Sequence, residues 1–227
     1  MKQIILISDH VGRPLRGVAP ATACETIMIC PSDKPQPHAR SVKFPDAWLP
    51  EFDASMDYGK RCWWVCDRIF AAAVTQLNLD ADHFWCVESD VAASPKTWER
   101  LVEAGSKCEL DGILTSLIER STAPDGFPWE LFSAPDWVTH QAFGPIYRLS
   151  RRALEWIADT AHTNRDAFCE LNFPTVLADK KGTMCNLNDL GWFYSSQSMQ
   201  PSWCAMHSGL FNHPVKTNTI GPEILKI

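Results

Sequence analysis

Glu88-Ser89-Asp90 closes an apolar run, Phe84 to Val87, and places two carboxylates where a buried strand should end. Buried charge is costly unless it is paired or coordinates a metal. In an extended chain alternate side chains share a side, so Glu88 and Asp90 would face one way and Ser89 the other. Two carboxylates on one side suit a hard divalent cation, held directly or through water; they also suit a solvated strand end. Near the other end of the chain, His213-Pro214-Val215-Lys216 offers an imidazole, a good ligand for manganese-like ions. The ammonium three residues later can neutralise a phosphate.

The common nucleotide-binding and hydrolase motifs are missing from the sequence. There is no Gly-x-Gly-x-x-Gly, no Gly-x4-Gly-Lys-Ser/Thr, no Gly-x-Ser-x-Gly and no His-Glu-x-x-His. With 11 glycines in all, a glycine-rich backbone cradle is not expected, and phosphate binding would fall to a metal and a few cations.

The elements that must position these residues follow from local patterning. Ile4 to Ile7 and Thr26 to Cys30 are β-branched or apolar runs that predict strands. Pro31, Pro35 and Pro37 predict an irregular loop over 31–55. Helical spacing runs from Tyr58 to Leu77, with Cys62, Val65, Ile69, Ala72 and Ala73 on one stripe. Phe84 to Val87 is the next strand. Ser94-Pro95 opens a helix with Trp98, Leu101 and Val102 inward, and Gly105 is placed to end it. Asp111 to Leu117 predicts a strand and 119–141 a loop. Ser150 caps a helix that buries Ala153, Leu154, Ile157 and Ala158, and 165–182 is helical with a break or kink at Pro174. Strands alternating with helices predict an α/β fold with a mainly parallel central sheet flanked by helices. The Glu-Ser-Asp end then lies at the C-terminal edge, where such sheets place ligands.

A chain of 227 residues can bury a sizeable core without disulfides or a structural metal. The formal net charge of −6 argues against a dedicated DNA-binding surface. The apolar run at 4–7 is shorter than the core of an export signal, and Ile69 to Val74 is too short to span a membrane. The nine cysteines are therefore expected to be reduced thiols in a cytoplasmic protein. Cys62 and Cys66 share a helix face, but without a second pair at zinc spacing they read as small core residues. Most of the ten tryptophans are expected in the core.

Four stretches, taken in order, resemble the GT-A-type glycosyltransferases that use nucleotide-diphosphate sugars. "ESD" (88–90) resembles their Asp-x-Asp-type metal motif. "GPIYRLS" (144–150) resembles the glycine-containing loop that borders the donor sugar. "CELNFPT" (169–175), with Asp166 before it, resembles the acidic motif that faces the acceptor, and "HPVK" (213–216) the C-terminal histidine that completes the metal site. Two positions depart from the family pattern: Glu88 replaces the first aspartate, and Cys169-Glu170 replaces an acidic pair.

The resemblance implies a single GT-A-like, Rossmann-like domain over 1–227. Residues 1–90 would form the nucleotide-binding half, and 91–227 the acceptor-side half with a metal-binding tail. It implies Mn2+ or Mg2+ held by Asp90 and His213, with Glu88 on the ribose or a metal-bound water and Lys216 on the diphosphate. Gly144 would border the donor sugar, with Ser8 and Asp33 near the base. Glu170 would be the base if configuration inverts, or an acceptor or sugar contact if it is retained; Asp166, a helical turn earlier, competes for the role. Arg148 and Arg151 could reach phosphates or acceptor, or be ordinary helix-start arginines. The donor would be a nucleotide-diphosphate sugar, a UDP-sugar first among them. The acceptor hydroxyl could belong to a glycan, a lipid-linked glycan, a protein or a modified DNA base. Two other readings stand beside this one. One is a nucleotidyltransferase, faintly suggested by Gly12, Arg13, Arg16 and Gly17 in "SDHVGRPLRGVAP" (8–20); the other is a non-catalytic nucleotide-sugar-binding module.

Overall fold

The computed structural model describes residues 1–8, 24–31, 41–44, 62–89, 91, 93, 95–123, 134–161, 163, 167–190, 193–195 and 210–212. Strand β1 (Gln3–Ser8) pairs in parallel with β2 (Glu25–Pro31) on one side and with β4 (His83–Glu88) on the other. Strand β3 (Ser41–Phe44) extends the sheet beyond β2. On the far side β6 (His140–Ser150) runs antiparallel to both β4 and β5 (Gly112–Glu119), and β7 (Met184–Asn186) closes the row alongside β5. The order is β3-β2-β1-β4-β6-β5-β7, with β6 the single reversed strand. Two short strands, β8 (Phe193–Ser195) and β9 (Leu210–Asn212), pair in parallel apart from it.

The central strands are buried on both faces, as parallel strands covered by helices must be. Ile4 and Leu6 point into one core with Ile27, Ile29 and Phe84. Helices α1 (Cys66–Gln76), α3 (Arg151–Thr160) and α4 (Cys169–Asp179) cover that core. Ile5 and Ile7 point the other way, with Trp85, Val87 and Ile113, onto Trp98, Leu101 and Val102 of α2 (Pro95–Ser106). The period-two alternation of β1 thus feeds two hydrophobic layers.

Most local expectations hold. Pro95 is the first residue of α2, and Ser150 Oγ accepts from the Ala153 amide at 3.1 Å to cap α3. Cys62 and Cys66 are buried core residues, and the eight described cysteines are free thiols. Of the six described tryptophans, against expectation, only Trp85 and Trp98 are buried; Trp64 and Trp156 are half-buried, and Trp63 and Trp137 are exposed.

Four further expectations need correction. The region 31–55 contains β3: Pro31 pairs with Phe44 in register, because a proline at the last position of a strand gives up no central ladder bond. Gly105 does not end its helix, which runs on to Ser106. A Cβ there would meet Gln3 Oε1 at 2.7 Å and Trp85 Cζ2 at 2.9 Å, so the glycine serves close packing. The 143–150 stretch is the body of β6 rather than a loop. Helix α4 is continuous through Pro174 and begins only at Cys169, after non-helical Ala167 and Phe168, so the helix that was to join Asp166 to Glu170 is absent there.

Arg148 is the largest departure from expectation. It is fully buried and donates to the carbonyls of Gly105, Cys108 (2.6 Å) and Leu110 (3.2 Å), which tie down the turn between α2 and β5. Arg151 likewise donates to the carbonyls of Leu79 and Ala81. Neither is spare for a phosphate.

His83, on β4, is buried with Nε2 3.2 Å from the Leu110 carbonyl, and its Nδ1 has no hydrogen-bond partner among the described residues. Burial, then the nearby Arg148 charge, push its pKa below the ordinary 6.5. A histidine held neutral in the fold gives stability that is fully present above its unfolded pKa. That stability is lost as pH falls below about 6.5 toward the folded value. Urea unfolding at a series of pH values should show a shallower acid slope for His83→Gln than for wild type. Equal slopes would contradict this.

Candidate functional site

The C-terminal edge of the parallel strands gathers four of the predicted residues. Ser8 and Glu88 are register partners at the ends of β1 and β4, and the Ser89 amide donates to the Ser8 carbonyl at 3.1 Å. Both side chains are buried, with Glu88 4% exposed and Ser8 fully enclosed. Gly144 lies on β6 just past the last β4–β6 pair, Val87 with Ile146, so it reaches the same edge from the reversed strand. Its amide donates to Glu170 Oε1 at 2.8 Å.

That bond has a structural cause. Ile113 pairs with Arg148 and Thr115 with Phe143, so Leu114 alone on β5 faces Gly144 to Tyr147 on β6. The ladder is broken opposite Gly144, and a carboxylate takes its amide in place of a strand partner. Bulges of this kind re-aim groups beside functional sites. Further along the same pair β5 is irregular again, with Ser116 at a φ of 52°. The missing side chain matters too: a Cβ on Gly144 would sit 3.0 Å from Glu170 Cγ and 3.2 Å from its Oε1.

Glu170 occupies the first turn of α4 and is 6% exposed. Pro174, four residues on, has no N–H to give the Glu170 carbonyl. The helix is fixed from α1. Asn172 Nδ2 donates to Asp67 Oδ2 at 2.7 Å, Arg68 donates to the Ala167 carbonyl at 3.0 Å, and Cys66 Sγ donates to Cys169 Sγ at 3.5 Å. The Cys66 thiol is pulled down by Cys169 but pushed up by burial and by the charges of Glu88, Asp67 and Glu170, with a net rise. Three carboxylates therefore bear on one thiol, those of Glu88 and Glu170 among them. Burial pushes the Asp67 carboxyl up as well. Asp67 and Arg68 were not anticipated. The signal was there: adjacent opposite charges inside the apolar stretch "CDRIFAAAV".

The alternation that was to align Glu88 with Asp90 stops at Glu88. The Val91 amide donates to the Glu88 carbonyl at 3.1 Å, so the chain turns there instead of staying extended. Asp90, Asp33, Asp166, His213 and Lys216 lie outside the described residues, as does the 9–20 stretch. Among the described residues no three His, Cys, Asp or Glu side chains are grouped to hold a metal. One observation suits a bound polar group at this edge: Ser8 Oγ is buried beside Glu88 with no hydrogen-bond partner among the described residues. A hydroxyl enclosed in this way is costly to leave unpaired.

Three solved structures share a distant likeness with this chain. CMP:2-keto-3-deoxy-manno-octonic acid synthetase complexed with CTP matches at a TM-score of 0.47 and 12% identity, over 82% of this chain and 89% of that one. Mouse xyloside xylosyltransferase 1, apo form, matches at 0.46 and 10%, over 93% and 96%. The inositol-1-phosphate CTP transferase from T. maritima matches at 0.43 and 9%, over 82% and 84%. No family model matches the sequence, and no match was found among curated proteins. Among the described residues no helix is long and apolar enough to cross a membrane.

Proposed function

We propose that this chain is a metal-dependent glycosyltransferase that moves a sugar from a nucleotide-diphosphate sugar to a hydroxyl acceptor. The observation that carries the proposal is the gathering of Ser8, Glu88, Gly144 and Glu170, from four separate parts of the chain, along one sheet edge. Residues 1–90 would hold the nucleotide, with Ser8 and Asp33 toward the base and Glu88 toward the ribose. A Mn2+ or Mg2+ ion held by Asp90 and His213 would supply Lewis-acid stabilisation of the leaving diphosphate. Lys216 adds a positive charge to the same diphosphate. The bond from the anomeric carbon to the β-phosphate oxygen breaks, and its electron pair leaves with the diphosphate. The acceptor oxygen bonds to that carbon, and its proton passes to Glu170. The Gly144 amide anchors the carboxylate through Oε1. Asp166 is the reserve base.

Gly144→Ala should push the Glu170 carboxylate aside by a few tenths of an ångström. We expect turnover to fall by about tenfold to a hundredfold, because small misplacements of a catalytic group are costly. The melting temperature should change far less. Unchanged turnover would show that the carboxylate position is irrelevant.

The proposal is tested by incubating the protein with UDP-sugars and manganese and following nucleoside diphosphate release. Wild type should release it and Asp90→Asn should not. Release of pyrophosphate from a nucleoside triphosphate and a sugar phosphate would instead identify a nucleotidyltransferase. Neither activity, with no manganese binding by calorimetry, would leave a binding module.

A further inference from the structure

Trp63 lies beside the helix turn that carries Glu170, and it keeps 37% of its surface exposed. Its ring centroid is 4.6 Å from that of Phe168, the residue that precedes α4, and Trp64 flanks the same ring at 5.0 Å. The Trp63 carbonyl accepts from Cys169 Sγ at 3.5 Å, and Cys169 in turn accepts from Cys66. The indole therefore packs against a buried phenyl ring and a second indole, and its backbone carbonyl holds the Cys169 thiol, with part of the Trp63 surface left to solvent. A single exposed aromatic is ordinary. One fixed against the two residues that precede Glu170 is a platform next to the proposed base.

The surrounding charge narrows what such a platform can take. Asp67, Glu88 and Glu170 all bear on Cys66, three residues from Trp63. Among the described residues, the guanidinium groups of the adjoining elements are committed to backbone carbonyls: Arg68 to Ala167, Arg148 to the α2–β5 turn, and Arg151 to Leu79 and Ala81. A phosphodiester chain needs cations to neutralise it. A neutral sugar ring needs only an aromatic face under its C–H groups and hydrogen-bonding groups at its rim.

We infer that the exposed surface of Trp63 is an acceptor subsite that stacks the apolar face of a neutral pyranoside beside the first turn of α4. This rests on the glycosyl-transfer reading above and names the class of its acceptor. Binding here requires neither donor nor metal, so it can be tested separately from that reading.

The test uses the full chain with 15N-labelled indoles. The Trp63 N–H signal is identified by its absence in Trp63→Phe, and wild type is titrated with methyl glucoside, methyl xyloside, cellobiose and a thymidine oligonucleotide. The Trp63 signal should move saturably with at least one saccharide and not with the oligonucleotide. In calorimetry that saccharide should bind about tenfold more weakly to Trp63→Ala, the loss of about one ring contact, and nearly as well to Trp63→Phe. A Trp63 signal unmoved by any of the saccharides overturns the inference. So does unaltered affinity in Trp63→Ala, or a response to the oligonucleotide alone. If Trp63→Ala does not fold, the wild-type titration and Trp63→Phe still decide. Failure of the donor reading would show separately, as no UDP-sugar binding by wild type with manganese.

Discussion

Glu170→Gln should lower sugar transfer by about two to four orders of magnitude, the usual contribution of a positioned general base. The substitution isolates the proton step. Glutamine keeps an oxygen that can accept from the Gly144 amide, now 2.8 Å from Glu170 Oε1, so the bulge on β6 and the start of α4 need not move. What it loses is the ability to take the acceptor's proton. The loss should appear in kcat, with the donor dissociation constant nearly unchanged, because an interaction made only in the transition state does not alter ground-state binding. A fall in donor affinity with kcat preserved would instead make Glu170 a sugar contact, as a retaining reaction would allow.

Arg148→Met should be the most destabilising of the substitutions considered. The guanidinium is buried without a carboxylate partner, and its charge is spread over the carbonyls of Gly105, Cys108 and Leu110. Methionine fills much of the stem volume but supplies no donor: the Gly105 and Leu110 carbonyls keep the Cys108 amide and His83 Nε2, while the Cys108 carbonyl loses its guanidinium partner. A buried acceptor left unpaired costs about 1–3 kcal/mol and the charge-assisted bonds lost at the other two carbonyls add to it, so a total of about 3–5 kcal/mol is expected. In a chain of this length that is roughly a 10 °C drop in melting temperature. Lysine should not rescue it, since one ammonium cannot reproduce the planar fork. Donor affinity of the folded fraction should stay at the wild-type value. If stability holds while donor affinity collapses, Arg148 belongs to the phosphates after all.

What could be read from the sequence divides along a physical line. Strands β1, β2 and β4, the Pro95 start of α2 and the Ser150 cap of α3 depend on neighbouring residues alone, and each stands where local chemistry puts it. The corrections involve partners distant in sequence. Nothing near Arg148 in the chain reveals that its donors are consumed some forty residues upstream. Gly144 read as a loop glycine because its neighbours do not show that β6 bulges there, or that Glu170 will approach it. β3 was hidden by prolines that flank it without interrupting it. Of the residues that meet at the sheet edge, Ser8, Glu88, Gly144 and Glu170 could be picked out in the sequence; the turn after Glu88 could not, because alternation assumes a strand that continues.

The most direct test of a donor site at this edge is thermal melting of the wild-type chain with nucleotide-sugars, with and without manganese. A ligand bound only by the folded state at a hundredfold excess over its dissociation constant adds about 2.7 kcal/mol. For a chain of this size that raises the melting temperature by roughly 5–10 °C. A UDP-sugar with manganese should produce such a rise, either component alone a smaller one, and Asp90→Asn should remove the dependence on the metal. No rise with any nucleotide-sugar, or an equal rise with manganese omitted, would contradict a metal-dependent donor site built on Ser8, Glu88, Gly144 and Glu170.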